Sequence, residues 1–305
     1  MKRKHYHRIA TIVLSVLLVS ACSREITRRE YSSGRYNGKI AYALAALSLQ
    51  AYKLDYNKAA GGTVPPVFFE ELRPLLPVDR SFVFHDPVTD TAGFIAGNRS
   101  VLIVVFRGTD SVQNALSDLQ ATQNDLTSLR GQGMGRVHSG FQQALDKVAT
   151  RLAKSIEQLR DRNQPVLFTG HSLGGALATL AVARAVAPPG SVTGLYTYGS
   201  PRVGNRVFKE NFDSQYAVIS YRIRNFKDPV PDTPPELLDF THVGQLVYYD
   251  ESTRVRAGSN RVDLSCSLLQ MHRCVAYHQM KRYQENAERN IERNPLSKAA
   301  CLWPF

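Results

Sequence analysis

Cysteine is scarce in this chain: four in 305 residues, at Cys22, Cys266, Cys274 and Cys301. No Cys or His pair among them has the spacing of a zinc site, so the sequence implies no metal and no cofactor. Long apolar runs are missing as well. The one candidate, Ile9 to Ala21, is too short to span a bilayer. Acidic residues are in deficit, 26 against 38 Lys and Arg, a net charge of +12. That excess raises nucleic acid as a partner, but Lys2, Arg3, Lys4 and Arg8 carry part of it, and the remainder forms short scattered clusters rather than one tract. No nucleic-acid partner is implied. Internal repeats, a P-loop and a Pro/Ser-rich linker through the middle are all absent. At 43% hydrophobic and 21% charged residues, what remains is a globular chain with a sizeable core, read as one catalytic domain.

The basic start, followed by the apolar run, has the shape of a secretory signal. It closes on Val19-Ser20-Ala21-Cys22, which resembles a bacterial lipobox, in which the cysteine is lipidated and becomes the first mature residue. Three segments follow from this: a lipoprotein signal peptide at 1–21, a tether at 22–37 and a single domain at 38–305. Cleavage before Cys22 leaves 284 residues with net charge +8. Ser23, standing where aspartate would retain a lipoprotein at the inner membrane, implies the outer membrane by the same resemblance. The Arg-rich stretch Ser23 to Asn37 would reach about 50 Å if fully extended.

From Lys39 to Tyr52 apolar residues recur at helical spacing, and the domain begins there. Phe82–His85, Ala92–Ala96 and Val101–Phe106 read as strands. The last is apolar without alternation, as in a parallel sheet covered on both faces. Ser139 with Gln142 suggests a capping box for a helix to about Arg160. Val166–Thr169 is a further strand, Gly174–Val186 an Ala/Leu-rich helix, and Thr193–Tyr198, Val218–Arg224 and Leu246–Tyr249 more strands. Val275–Arg289 closes the chain as a helix. This alternation predicts an α/β fold with a mostly parallel, doubly wound central sheet and helices on both faces. Gly131-Gln132-Gly133-Met134-Gly135 follows no strand and opens no helix, and reads as a flexible connection rather than a dinucleotide loop.

Chemistry concentrates at Gly170-His171-Ser172-Leu173-Gly174-Gly175. A G-x-S-x-G between a buried strand and an Ala-rich helix is the setting of a nucleophilic serine held on a sharp elbow. A serine needs a base and a group that orients it. Four further segments complete the picture: Phe106-Arg107-Gly108-Thr109, Val137-His138-Ser139-Gly140-Phe141, Tyr198 to Asn205, and Asp228-Pro229-Val230-Pro231. Taken in chain order, the five resemble the class 3 (fungal lipase-like) family of α/β-hydrolases, over roughly Lys39 to Glu292.

The resemblance implies a serine carboxylic ester hydrolase acting on acylglycerol or phospholipid acyl esters through an acyl-enzyme. It implies Ser172 as nucleophile, Asp228 as acid with Asp232 as nearest competitor, and His278 as base shortly before Tyr283. His272 and His242 are rivals for the base, while His171, His85 and His138 are expected to pack and stabilise turns. The oxyanion donors implied are the backbone N–H groups of Thr109 and Leu173. The lid position falls on Ser111–Leu126, whose apolar content is low. The same triad would also serve an acyltransferase or amide hydrolase, and a noncatalytic lipoprotein scaffold stands as the alternative of another class. Among Cys266, Cys274 and Cys301 the sequence selects no disulfide pair.

Overall fold

The computed structural model describes residues 25–109, 122–257, 266 and 274–293. A one-turn helix α1 (Arg28–Ser32) leads into α2 (Gly38–Gln50) and the short α3 (Tyr56–Ala59). Strands β1 (Arg80–Asp86), β2 (Thr91–Asn98) and β3 (Val101–Phe106) follow, then the pair β4 (Gln123–Thr127) and β5 (Gly133–His138). The second half runs α4 (Ser139–Leu159), β6 (Val166–His171), α5 (Leu173–Ala183), β7 (Val192–Tyr198) and α6 (Arg206–Tyr216). It ends with β8 (Ser220–Asn225), β9 (Gln245–Tyr249), β10 (Val255–Ala257) and α7 (Met280–Arg293).

Eight strands form one sheet in the order β1-β2-β3-β6-β7-β8-β9-β10. The five from β3 to β9 are parallel, and the flanking strands pair antiparallel. Val101–Phe106 shows why the run is apolar throughout. Val101, Ile103 and Val105 enter the cluster under α2, while Leu102, Val104 and Phe106 enter the one under α4 and α5, all fully buried. Helix α5 is apolar on every side because it lies wholly inside the second cluster. Helix α2 starts on Asn37, whose side chain accepts from the N–H groups of Lys39 and Ile40, and α7 packs against it. The mostly parallel sheet with helices on both faces is the architecture expected.

Several local expectations are corrected. Glu25–Asn37 is no free tether: Ile26 and Tyr31 are 1% and 2% exposed, and Ile26 N–H bonds Leu75 O. Thr27 and Glu30 form a capping box, and Arg28 reaches Asn163 O at 2.7 Å. Two well-placed apolar residues outweigh the arginines around them. Gly133-Met134-Gly135 belongs to β5 rather than to a loop, paired with β4 and turning Met134 and Val137 inward. Of the lid position, residues 110–121 lie outside the described residues, and its end, 123–126, lies in β4. The cap of α4 is His138, whose Nδ1 accepts from Phe141 N–H, so Ser139 opens the helix instead of capping it. The final helix starts late, because a 3₁₀ turn (Ala276–His278) and an extended Gln279 precede α7. A disulfide joins Cys266 to Cys274; Cys22, Cys301 and His272 lie outside the described residues.

Candidate active site

The carboxyl ends of β3, β6, β7 and β8 converge, as open parallel sheets require of their functional loops. At the end of β6 the chain turns sharply into α5 through Ser172, held at φ 58°, ψ −128°. That left-handed, strained conformation is rare for a residue with a side chain and marks a position selected for presentation. The turn closes only because its neighbours are small: a Cβ on Gly170 would lie 2.3 Å from the backbone of Gly174. Ser172 stands at the N-cap but its side chain caps nothing. Leu173 opens α5, so its N–H is among the donors that the helix ladder leaves over. The Phe106–Gly108 loop abuts the same turn, with Phe106 O against Gly174 and Gly108 against His171, and Thr109 follows directly.

Asp228 and His278, fifty residues apart, meet in full burial. Imidazole Nδ1 lies 2.8 Å from Asp228 Oδ2 and 3.0 Å from Oδ1. A carboxylate only accepts, so Nδ1 carries the hydrogen and the neutral ring keeps its lone pair on Nε2. That Nε2 is buried and has no hydrogen-bond partner among the described residues. Val230 N–H donates to Oδ1 at 2.9 Å and the Tyr283 hydroxyl to Oδ2 at 2.5 Å, fixing the carboxylate in its plane. Asp232, the competitor, is taken by Arg224 through contacts of 2.7 and 2.8 Å, and Arg224 also donates to Asp228 O at 2.9 Å.

Ser172 comes to this pair through its neighbours. Its N–H bonds Tyr198 O at 2.9 Å, and the next residue, Gly199, is so close that an added Cβ would lie 2.7 Å from Asp228 Oδ2 and 2.9 Å from His278 Cε1. On the other side of Ser172, the His171 ring sits 4.4 Å from that of His278. His171 Nε2 contacts His278 O at 2.6 Å, and Tyr52 OH contacts His171 Nδ1 at 2.8 Å. A carbonyl accepts, so His171 donates from Nε2 and accepts from Tyr52. Burial, and then the proximity of His278, hold His171 well below the usual histidine range, so it stays neutral in this role. His242 is not part of the cluster. It bonds Pro231 O at 2.7 Å, as a local structural group does.

The sequence pointed to Ser172, Asp228 and His278 and missed the group around them. Tyr283 stood in view only as a tyrosine after the histidine, and Tyr52 lay in a helix with no visible link to the site. Both act across more than fifty residues of chain, a separation that carries no local pattern. Among the described residues no group of His, Cys, Asp and Glu side chains is placed to hold a metal ion.

Residues 103–238 match the family described as lipase (class 3). A secreted mono- and diacylglycerol lipase of Fusarium solani is 36% identical over 154 residues, 50% of this chain and 45% of that protein. A lipase of Caenorhabditis elegans is 30% identical over 240 residues, 77% of this chain and 65% of that one. The chain thus spans about half to two-thirds of the length of these relatives. Among solved structures, lipase II of Rhizopus niveus aligns with a TM-score of 0.62 at 24% identity, over 79% of this chain and 92% of that one, a likeness of fold. Over residues 103–238 this chain is similar to the class 3 lipase family, and its fold is the α/β-hydrolase fold of the lipases it aligns with.

Proposed function

We propose that the protein is a serine carboxylic ester hydrolase acting on acylglycerol or phospholipid acyl esters, with Ser172 as nucleophile, His278 as base and Asp228 as the acid that orients it. The observation that carries this reading is the buried Asp228–His278 pair, whose Nε2 has no partner among the described residues and whose ring packs against His171, the residue before a serine on a strained elbow. Ser172 attacks the ester carbonyl while Nε2 takes its proton, and Asp228 stabilises the imidazolium that forms. The oxyanion is met by the N–H groups of Leu173 and Thr109. Protonated His278 then gives its proton to the departing alcohol. Water, activated in the same way, releases the acid. A p-nitrophenyl ester chain-length series on the purified protein beside Ser172→Ala tests this. Loss of turnover in a folded variant supports it, and retained turnover overturns it.

The same proposal places the enzyme on a membrane through a lipid on Cys22, on the strength of the Val19-Ser20-Ala21-Cys22 pattern. No helix among the described residues is long and apolar enough to cross a bilayer. With Ile26 packed in the core, only Ser23, Arg24 and Glu25 separate the lipidated cysteine from the domain, a reach of about 14 Å from Cys22 to Ile26 at full extension. The body then rests against the head groups instead of ranging 50 Å from them. Fractionation of the parent against Cys22→Ser tests the anchor: identical distribution between membrane and soluble fractions removes it.

A further inference from the structure

The parallel strands have two ends, and the ester chemistry uses only the one where they finish. At the other, where they begin, the chain ahead of α2 is pinned to the domain. Arg28 donates to Asn163 O at 2.7 Å, three residues before β6. Tyr221, second in β8, gives its hydroxyl to Gly34 O at 2.8 Å. Gln164 donates to Asn98 O, which brings the β2–β3 turn to the same edge, and Asn98 Nδ2 reaches Pro77 O at 2.7 Å. Ile26 N–H bonds Leu75 O beside it, so the chain enters the fold here. Ser172 lies beyond the far end of β6, and the six residues of that strand separate the two ends by about 20 Å.

This entry end is rich in arginine. Arg28, Arg29 and Arg35 around α1, Arg99 in the β2–β3 turn and Arg162 before β6 are all exposed, and none forms an ion pair among the described residues. Arg24 precedes Glu25 in the sequence and adds to them. Within 25–37, 98–100 and 157–164 the acids are Glu25, Glu30, Glu157 and Asp161. Glu30 closes the cap of α1 on Thr27 and takes Asn37 Nδ2 at 3.2 Å, while Asp161 is held by Arg80 at 3.1 Å. That leaves Glu25 and Glu157 against five exposed arginines. Burial pulls Arg160, in the same loop, below the ordinary arginine range and the charge of Arg28 adds to it, so positive charge is crowded here rather than neutralised. Exposed guanidiniums without acid partners offer forked donors to phosphate.

We propose that this basic end docks on the head groups of an anionic membrane, which turns the catalytic end away from the membrane that holds the protein. Two observations choose lipid among polyanions. The guanidiniums spread across the starts of β3, β6 and β8, which suits a flat charged surface better than a single strand of nucleic acid. The chain also enters at this end, with Cys22 only four positions before Ile26. The second observation rests on the anchor proposed above; the first does not. Resting likewise on the ester-hydrolase reading, the acyl ester then reaches Ser172 from the side away from that membrane, not from the leaflet beneath the protein.

The test is sedimentation of the full chain, carrying Cys22→Ser so that no acyl chain masks the surface, with vesicles of phosphatidylcholine alone or mixed with phosphatidylglycerol. Binding is expected to be more than about tenfold tighter to the mixed vesicles at low salt, and to weaken as salt rises. Each arginine close to an anionic surface is worth about fivefold in partition, so Arg29→Gln, Arg35→Gln and Arg162→Gln together should cost about a hundredfold. Lys281→Gln with Arg282→Gln, exposed beside His278 at the catalytic end, should change nothing. Equal binding to the two kinds of vesicle overturns the docking face, and so does a loss that follows Lys281 and Arg282 instead of the three arginines. A DNA duplex bound as tightly as the mixed vesicles overturns the choice of lipid. Turnover enters none of these readouts, so a protein that docks but does not hydrolyse would fail the ester reading alone.

Discussion

Tyr283 donates its hydroxyl to Asp228 Oδ2 at 2.5 Å, the same oxygen that His278 Nδ1 contacts at 2.8 Å, and accepts the Asn225 N–H at 3.0 Å. Burial, then the charge of Asp228, pushes the phenol well above its ordinary range, so the proton stays on Tyr283 and the bond keeps its direction. A proposed catalytic carboxylate that is donated to from three sides cannot rotate away from its imidazole.

Tyr283→Phe is therefore expected to keep the ring packing and lose the orientation. A charge-assisted hydrogen bond of this kind contributes about 1.5–3 kcal/mol, and its removal also leaves the Asn225 N–H without an acceptor. The expected result is a drop of about ten- to a hundredfold in kcat, with KM little changed and a lower Tm. A kcat and pH–rate profile identical to the parent's would mean that the hydroxyl only packs.

Gly199 offers a sharper test of the same geometry. At φ +55° it stands where L-residues are strained, and a methyl group there meets Asp228 and His278 at under 3 Å. Gly190→Ala is the control: its φ is +68°, but nothing lies within 4 Å of the added Cβ. Both substitutions should cost stability, of the order of 1 kcal/mol, from backbone strain. Only Gly199→Ala should also lower turnover, by about a hundredfold, because displacements near 1 Å in a catalytic pair have that cost. Equal activity in the two variants would show that the pair tolerates the push.

What the sequence revealed and what it hid follow from the range of each interaction. The elbow at Ser172 is local: strand, glycines, serine and helix are contiguous, so a short motif states it. Val101–Phe106 declared its burial on both faces through composition alone. Asp228 and His278 were reached through resemblance, since nothing between them in sequence says that they touch. Tyr52, 119 residues from His171, left no trace at all. The glycines of β5 misled because pairing with β4, not local propensity, makes that segment a strand. The arginines before Asn37 misled because two buried residues decide where thirteen go.

Acid should destabilise the protein through two histidines kept neutral by burial. His171 sits against His278 and Tyr52, and His242 against Arg222, Arg202 and Arg224; both are held well below 6.5. Above pH 6.5 neither state takes a proton and their contribution is fully present. As pH falls below 6.5, the unfolded chain binds two protons that the native state refuses, so stability is lost toward the folded-state values. Each histidine steepens the loss by up to about 1.4 kcal/mol per pH unit. Denaturant unfolding from pH 7 to 5 measures the slope, and His242→Asn should reduce it by one proton's worth. An unchanged slope in that variant would remove His242 from the account.

The segment before Asn37 behaves as part of the fold, and this is testable without any assay of activity. Ile26 is 1% exposed, its N–H pairs with Leu75 O, and Tyr31 lies 2% exposed one helical turn later, behind the Thr27–Glu30 box. A linker carries no such anchors, and substitutions in it leave stability alone. Truncating a buried isoleucine to alanine costs about 2–5 kcal/mol, through lost transfer energy and the cavity left behind. For a chain of this size that is a fall of roughly 5–15 °C in Tm. Ile26→Ala is expected to show it, whereas Arg29→Ala on the exposed side of the same turn should shift Tm by no more than about 1–2 °C. If both variants melt with the parent, the segment is a tether after all, and the domain regains the longer reach that the sequence first suggested.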